Sequence, residues 1–223
     1  MQDSHDFQAV CVVSLPFAEN AYVLWRDDRP DCLIVDPGTE PEKISEAVKE
    51  TGKTPSAILN THGHADHIAG NAAMKQAWPD APLVIGAGDA AMLTDANLNL
   101  SEDFGQPIIS PQADILVREG EIYESAGFQL LVREIPGHSP GHVVFIQEGV
   151  PSCVIGGDVL FHRSIGRTDF PNGSFEQLQQ GIHEKLFNLP DETIVLPGHN
   201  EPTTIGDEKR HNPFVGQPAG YKI

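Results

Sequence analysis

Thr61-His62-Gly63-His64-Ala65-Asp66-His67 follows the short apolar run Ala57-Ile58-Leu59 almost without a break. The apolar run has the length of a strand and no polar position, as expected of a strand buried on both faces. A chain leaving the end of such a strand displays its side chains where a scaffold usually carries its chemistry. His-x-His-x-Asp-His gathers three imidazoles and a carboxylate, a donor set that suits zinc or another borderline divalent ion. For a chain of 223 residues with 10 histidines, chance produces this pattern with a probability on the order of one in a thousand. A lone histidine would be read as structural; this cluster reads as a metal site. A helix starting just after the motif and running to about Ala77 would fix the donor directions.

Upstream, Val10–Val13, Ala21–Trp25 and Cys32–Val35 read as short strands forming an antiparallel edge. Thr39-Glu40-Pro41-Glu42 has the form of a capping box, followed by Ile44, Ala47 and Val48 on one helical face and by Gly52 as a stop. Downstream, Leu83–Ile85 reads as a strand and Asp89–Leu93 as a short helix. Glu121–Tyr123, Phe128–Ile135, Val143–Gln147 and Cys153–Gly157 read as strands, Ser174–Asn188 as a helix and Thr193–Leu196 as a last strand. Strands grouped at the start of each half with helices interleaved suit two mixed sheets packed face to face with helices outside. The expectation is an α+β fold, a four-layer αββα sandwich in which residues 1–223 form one domain.

Composition narrows the function classes. An apolar fraction of 39% supports a sizeable core and is inconsistent with wholesale disorder. No apolar run reaches the roughly 18 residues that span a bilayer, and Met1 to Asp6 lack the basic and apolar regions of a secretory signal; the expected location is cytoplasmic. The formal net charge of -18 argues against a nucleic-acid groove or an anionic membrane surface as partner, because both demand basic patches. Cys11, Cys32 and Cys153, odd in number and set in apolar runs, read as reduced core residues. Gly-x-Ser-x-Gly is absent and no cysteine has charged neighbours to activate it.

Further polar residues repeat the strand-end context of the first motif, each beside Gly or Pro. They are His138 and His142 in Pro136-Gly137-His138-Ser139-Pro140-Gly141-His142, Asp158 in Gly156-Gly157-Asp158, and His199 in Pro197-Gly198-His199. Singly, each could be a loop-capping residue; together with the first motif they are enough for two metal sites.

These motifs, with Val35-Asp36-Pro37-Gly38, resemble the metallo-β-lactamase superfamily over nearly the whole chain. Ser164-Ile165-Gly166-Arg167-Thr168-Asp169-Phe170, and the segment from Pro197-Gly198-His199 to Pro213-Phe214, are similar to short, bacterial glyoxalase II-like hydrolases. The resemblance implies the αββα fold and two divalent ions, zinc foremost, with iron or manganese as alternatives. It implies that His62, His64 and His138 bind one ion and Asp66, His67 and His199 the other, with Asp158 bridging. His142 falls to a supporting or core role by the same resemblance. His5, His162, His183 and His211 carry no ligand signal.

Two such ions about 3.5–4 Å apart can trap a bridging water as hydroxide and stabilise charge on both sides of a displacement. The reaction expected is attack of that hydroxide on a thioester carbonyl, with the oxyanion stabilised by a metal and a thiolate leaving without acid help. Asp66 and Asp158 are the carboxylates of this machinery. The resemblance suggests S-2-hydroxyacylglutathione, typified by S-lactoylglutathione, or a related acyl-thiol as the small-molecule substrate. The additional C-terminal helical domain of the longer glyoxalases II is not evident after Phe214. Arg167 is the candidate cationic contact to an anionic acyl-thiol, ahead of Lys209 and Arg210 on an expected terminal helix. Two alternatives stand beside this reading. One is a persulfide dioxygenase with a single iron, which the 64–68 and 166–170 segments also resemble, although Pro197-Gly198-His199 is the hydrolase form. The other is a non-enzymatic, metal-stabilised interaction domain.

Overall fold

In the computed structural model, which describes residues 7–102, 105–149 and 151–222, the chain folds into two six-stranded mixed sheets with helices on their outer faces. Met1 to Asp6, where His5 and the expected absence of a leader fall, lie outside the described residues. The first sheet runs in chain order through β1 (Gln8–Ser14), β2 (Glu19–Trp25), β3 (Asp31–Val35), β4 (Thr54–Asn60), β5 (Leu83–Gly86) and β6 (Ile115–Val117). Its first two pairings are antiparallel and the rest parallel. The second sheet uses β7 (Ile122–Ser125), β8 (Phe128–Glu134), β9 (Val143–Gln147) and β10 (Cys153–Gly157). The chain then makes the small hairpin β11 (Leu160–Phe161) and β12 (Ser164–Ile165), returns as β13 (Ile194–Pro197) parallel to β10, and ends the sheet with β14 (Thr203–Thr204).

Period-2 alternation with both faces buried explains why the central strands read as unbroken apolar runs. In β3, Leu33 faces the other sheet while Ile34 faces the helices; in β9, Phe145 and Val144 divide in the same way. Leu33, Leu59, Phe128 and Phe145 belong to the core between the sheets. Ile34 and Ile58 pack with Ile44 and Val48 of α1 (Pro41–Thr51), and Val144, Val154 and Val195 with Leu178 and Ile182 beyond the second sheet. The four layers expected from the sequence are those observed.

Local expectations fail at several places. Thr39 does not cap α1: its hydroxyl donates to the Leu15 carbonyl, and Glu40 takes the N-cap position without a side-chain bond. The helix after the His-rich motif is split into α2 (Ala65–Ile68) and α3 (Asn71–Ala77), because Gly70 is drawn against the Pro37–Gly38 turn, its amide 2.7 Å from the Pro37 carbonyl. A side chain at Gly70 would collide there, its Cβ 2.7 Å from the Gly38 carbonyl oxygen. Cys32 and Cys153 are buried, but Cys11 is exposed, since β1 is an edge strand. The Ser174–Asn188 helix forms as α4 (Phe175–Gly181), capped by Ser174, and continues into a π-helical turn over Ile182–Leu186. A terminal helix, α5 (Ile205–His211), is present as expected. Among the described residues no helix is long and apolar enough to cross a membrane.

Candidate metal centre

Every donor singled out from the sequence emerges at one end of the sandwich, each just past a strand. The His62–His67 segment follows β4, His138 lies shortly after β8, Asp158 follows β10, and His199 comes after β13. Three donor sets have ligand atoms within 4.8 Å of one another: His62, His64 and His138; His62, His67 and Asp158; Asp66, His67 and His199. Asp158 lies between the groups, with Oδ1 3.4 Å from His67 Nε2 and Oδ2 3.4 Å from His138 Nε2 and 3.6 Å from His199 Nε2. Asp66 Oδ2 is 3.4 Å from His199 Nε2.

The imidazoles are turned toward this centre by bonds on their far nitrogens. A carbonyl oxygen only accepts, so His138 carries a proton on Nδ1, donated to the Arg167 carbonyl at 2.8 Å, and His199 does the same toward Ala18 at 3.2 Å. His67 donates from Nδ1 to Asp36 Oδ2 at 3.1 Å. The Thr61 hydroxyl spends its proton on Asp36 Oδ2 at 2.7 Å and can only accept from His62 Nδ1, 3.1 Å away. In its neutral form each of the four rings therefore presents a bare Nε2 inward, the arrangement in which an outer partner fixes tautomer and direction. His64 enters the other way round, with Nδ1 2.8 Å from His138 Nε2. The loop carrying His199 is held in turn by Asn20 and Tyr22, whose side chains donate to the Pro197 carbonyl at 3.0 and 2.8 Å.

This arrangement fits divalent cations better than it fits hydrogen bonding. His67 Nε2 and Asp158 Oδ1 are buried, face each other at 3.4 Å and make no hydrogen bond, a costly state that a bound cation would relieve. Burial first, and then the surrounding imidazoles, hold His62 well below the ordinary histidine range, and burial pushes His64 down to about 3. Both rings are therefore neutral at neutral pH, each keeping a nitrogen lone pair that a cation could use. For His67 burial also opposes charge, but Asp66 and Asp158 outweigh it and raise its pKa. Burial likewise opposes ionisation of Asp158, yet His67 and His138 hold its carboxyl well below the usual range. A buried His/Asp cluster of this composition is consistent with a binuclear metal site.

The chain's 15–199 segment matches the family model described as the metallo-beta-lactamase superfamily. The chain belongs to that superfamily. Within it, the chain is 43% identical over 202 residues to "Probable metallo-hydrolase YqgX" of Bacillus subtilis, covering 90% of this chain and 93% of the relative. It is 37% identical over 206 residues to hydroxyacylglutathione hydrolase GloC of Haemophilus influenzae, covering 91% and 95%. Among solved superfamily structures, the BLEG-1 B3 metallo-beta-lactamase superposes with a TM-score of 0.89 at 38% identity, covering 93% of this chain and 99% of that one. TTHA1623, solved in a di-iron-bound form, gives a TM-score of 0.79 at 38% identity, covering 92% and 99%. Together with the donor geometry, these relatives make the chain a metal-dependent hydrolase of the superfamily.

Above the donors lies a cavity of about 490 Å³ whose walls include Phe17, Leu100, Phe161, Ile165 and Phe170. Phe170 sets its edge against His64 and His138, at 5.2 and 5.7 Å between ring centroids, and Phe161 lies 5.9 Å from His199. Arg167 lines the same cavity, but its exposed guanidinium is paired with Asp169 at 2.8 Å and lies over the Phe170 ring at 4.4 Å. Lys209 and Arg210 are elsewhere, both bound to Asp191. His142 is buried and belongs to none of the donor sets; its Nε2 accepts from the Asp158 amide at 3.0 Å, and its ring stacks on His62.

The sequence alone marks no role for Asp36, Thr61 or Asp89. Asp36 was legible in principle, since it follows β3 and precedes Pro37-Gly38 as the other donors stand beside Gly or Pro. A separate cluster of His162, Asp207 and Glu208 also has metal-ligand spacing. There, however, Glu208 already accepts from Thr203, Asn212 and the Arg163 amide, and His162 is bonded to the exposed Glu201.

Proposed function

We propose that this chain hydrolyses thioesters, acting on S-2-hydroxyacylglutathione or a closely related acyl-thiol. His62, His64 and His138 hold one divalent ion, Asp66, His67 and His199 hold the second, and Asp158 is shared. The observation that carries the reading is the convergence of both donor sets on Asp158 beneath an open cavity, because a purely structural site would be closed over. The thioester half of the proposal is supported by the 37% identity to a protein named for hydroxyacylglutathione hydrolysis.

Bound there, two ions supply Lewis acidity, bringing the ionisation of water into the neutral range and stabilising developing negative charge. The chain's own residues do the rest. Asp158 and Asp66 place two carboxylates among the imidazoles, partly offsetting the cationic charge without filling the cavity. The Asp66 carboxylate, partly open to the cavity, can take up the proton released as water adds to the carbonyl carbon. Phe161 and Phe170 supply apolar wall beside the reacting carbonyl. The carbon–sulfur bond then breaks, the sulfur leaving as a thiolate that takes up the proton held by Asp66, so that an acid and a thiol are released and the carboxylate is restored; no serine or cysteine nucleophile is involved. Arg167, at the rim, is proposed to meet a carboxylate of the thiol portion.

Metal analysis of the purified protein combined with a thioester assay tests this. Two ions per chain and turnover of S-lactoylglutathione are expected. A single iron with persulfide oxygenation would move the chain to the dioxygenase reading, and a β-lactam hydrolysed faster than any thioester would move it toward the BLEG-1 activity named above.

A further inference from the structure

Asp89 belongs to none of the donor sets, yet two donor loops close on its carboxylate. It sits in the short 3-10 helix Ala87–Thr94 that follows β5, and is fully buried. Its Oδ2 accepts from the Gly63 amide at 3.1 Å and from the Ser139 hydroxyl at 2.6 Å, and its Oδ1 accepts from the Gly141 amide at 2.6 Å. Gly63 stands between His62 and His64; Ser139 follows His138. One carboxylate therefore ties down the backbone on which all three imidazoles of one donor set are mounted, reaching from the first sheet to a loop of the second.

The contact is built in on both sides. A Cβ on Gly63 would lie 2.5 Å from Met92 Cβ, and one on Gly141 would lie 2.3 Å from the Asp89 amide nitrogen. Both loops can press against the 3-10 helix only because they carry glycine at these points. No ion pair among the described residues involves Asp89, so its negative charge is met by these three donors, and bonds of this charge-assisted kind are the stronger and more directional ones.

We propose that Asp89 is a positioning residue for the His62, His64 and His138 half of the centre, setting the distance between the two loops so that the three imidazoles converge on one ion. This rests on the reading of those histidines as ligands of a single ion. A carboxylate that merely helped the chain fold would affect both halves of the centre alike; a positioning residue affects one.

The test compares D89N, which keeps the shape but replaces one acceptor oxygen by a donor, with S139A, which keeps the carboxylate and removes one of its donors. Zinc affinity is measured by competition with a chelator, next to the melting temperature of the metal-free forms. D89N is expected to weaken one of the two ions by about 10- to 100-fold, the scale typical of ligand-supporting partners. That ion should be the one lost in His138→Ala, with the other left unchanged, and S139A should weaken the same ion by less. Equal weakening of both ions, or of neither, would overturn the proposal. If D89N does not fold, S139A decides alone: selective weakening supports the proposal and none overturns it. A wild-type protein that binds no ions defeats the ligand reading itself, whereas a two-ion wild type with unaffected variants defeats only the role of Asp89.

Discussion

His67 and Asp36, both buried and on different strand-end loops, are joined by a hydrogen bond of 3.1 Å from His67 Nδ1 to Asp36 Oδ2. The same carboxylate accepts from the Thr61 amide and hydroxyl, each at 2.7 Å. Asp36 adopts a φ of 45°, uncommon for a residue with a side chain, and these three bonds hold it there. Asp36→Asn brings an NH2 group into a pocket whose neighbours are all donors. The affinity of the ion proposed to be held by His67 is expected to fall about 10- to 100-fold, measured by chelator competition; wild-type affinity would limit Asp36 to a part in folding.

Removal of metal is expected to lower the melting temperature and abolish hydrolysis together. An ion that binds only the folded chain stabilises it by RT ln(1 + [L]/Kd), about 2.7 kcal/mol at a hundredfold excess over Kd. Calorimetry before and after chelation checks this, and a melting temperature indifferent to metal would contradict the proposed ligand set.

The metal-free protein should have a stability maximum near pH 6.5, where the histidine pKa values of the unfolded chain lie. Burial keeps His62, His64 and His142 from taking protons they accept when unfolded, so stability falls as pH drops below that value. His67 and His199 behave oppositely: burial works against charge on both, but Asp66 and Asp158 raise their pKa values. Their contribution is complete below about pH 6.5 and is lost as pH rises through the folded values. Bound metal replaces those protons, so metal affinity should rise with pH over the same range. Melting curves from pH 5 to 8.5, with and without metal, show both trends or exclude them.

Asp158→Ala should leave two proposed ions close together without a shared anion, lowering the affinity of at least one. Asp158→Asn preserves the shape and should weaken binding less. Normal metal content and turnover in both variants would remove Asp158 from the centre.

The layers and the cluster were legible because both are written locally. Val143–Gln147 and Cys153–Gly157 are apolar on both faces, and His138, Asp158 and His199 each stand where such a run meets Gly or Pro. Supports that act across the fold were not legible. Asp89 touches Gly63 and Gly141 only after the sheets have packed, and no spacing in the sequence encodes that contact. The break at Gly70 comes from the Pro37 turn on another segment, and the exposure of Cys11 from its strand's place at the edge. The same holds for the cavity wall: Phe17, Leu100, Phe161 and Phe170 come from separate segments and carry no common pattern.

Arg167 is where sequence reasoning and structure meet most sharply. Its carbonyl accepts the Nδ1 proton of His138 at 2.8 Å, a backbone role that any side chain at this position would preserve. Its guanidinium lines the cavity but is already bound by the exposed Asp169 carboxylate and stacked on Phe170. An exposed pair of this kind contributes little, about 0–1 kcal/mol, so a substrate carboxylate can exchange with Asp169 at small cost. On a chain of net charge -18 it is the only lysine or arginine lining the cavity among the described residues. If the side chain meets the thiol portion of a glutathione thioester, Arg167→Ala should raise KM for S-lactoylglutathione more than it lowers kcat, because a contact remote from the reacting carbonyl is about equal in ground and transition states. The effect should shrink for a neutral acyl-thiol and be blunted by added salt, since the site is open to solvent. Asp169→Ala, which frees the guanidinium, should lower KM for the charged substrate alone. Equal losses on charged and neutral thioesters in Arg167→Ala would instead assign the side chain to holding Phe170 against His64 and His138.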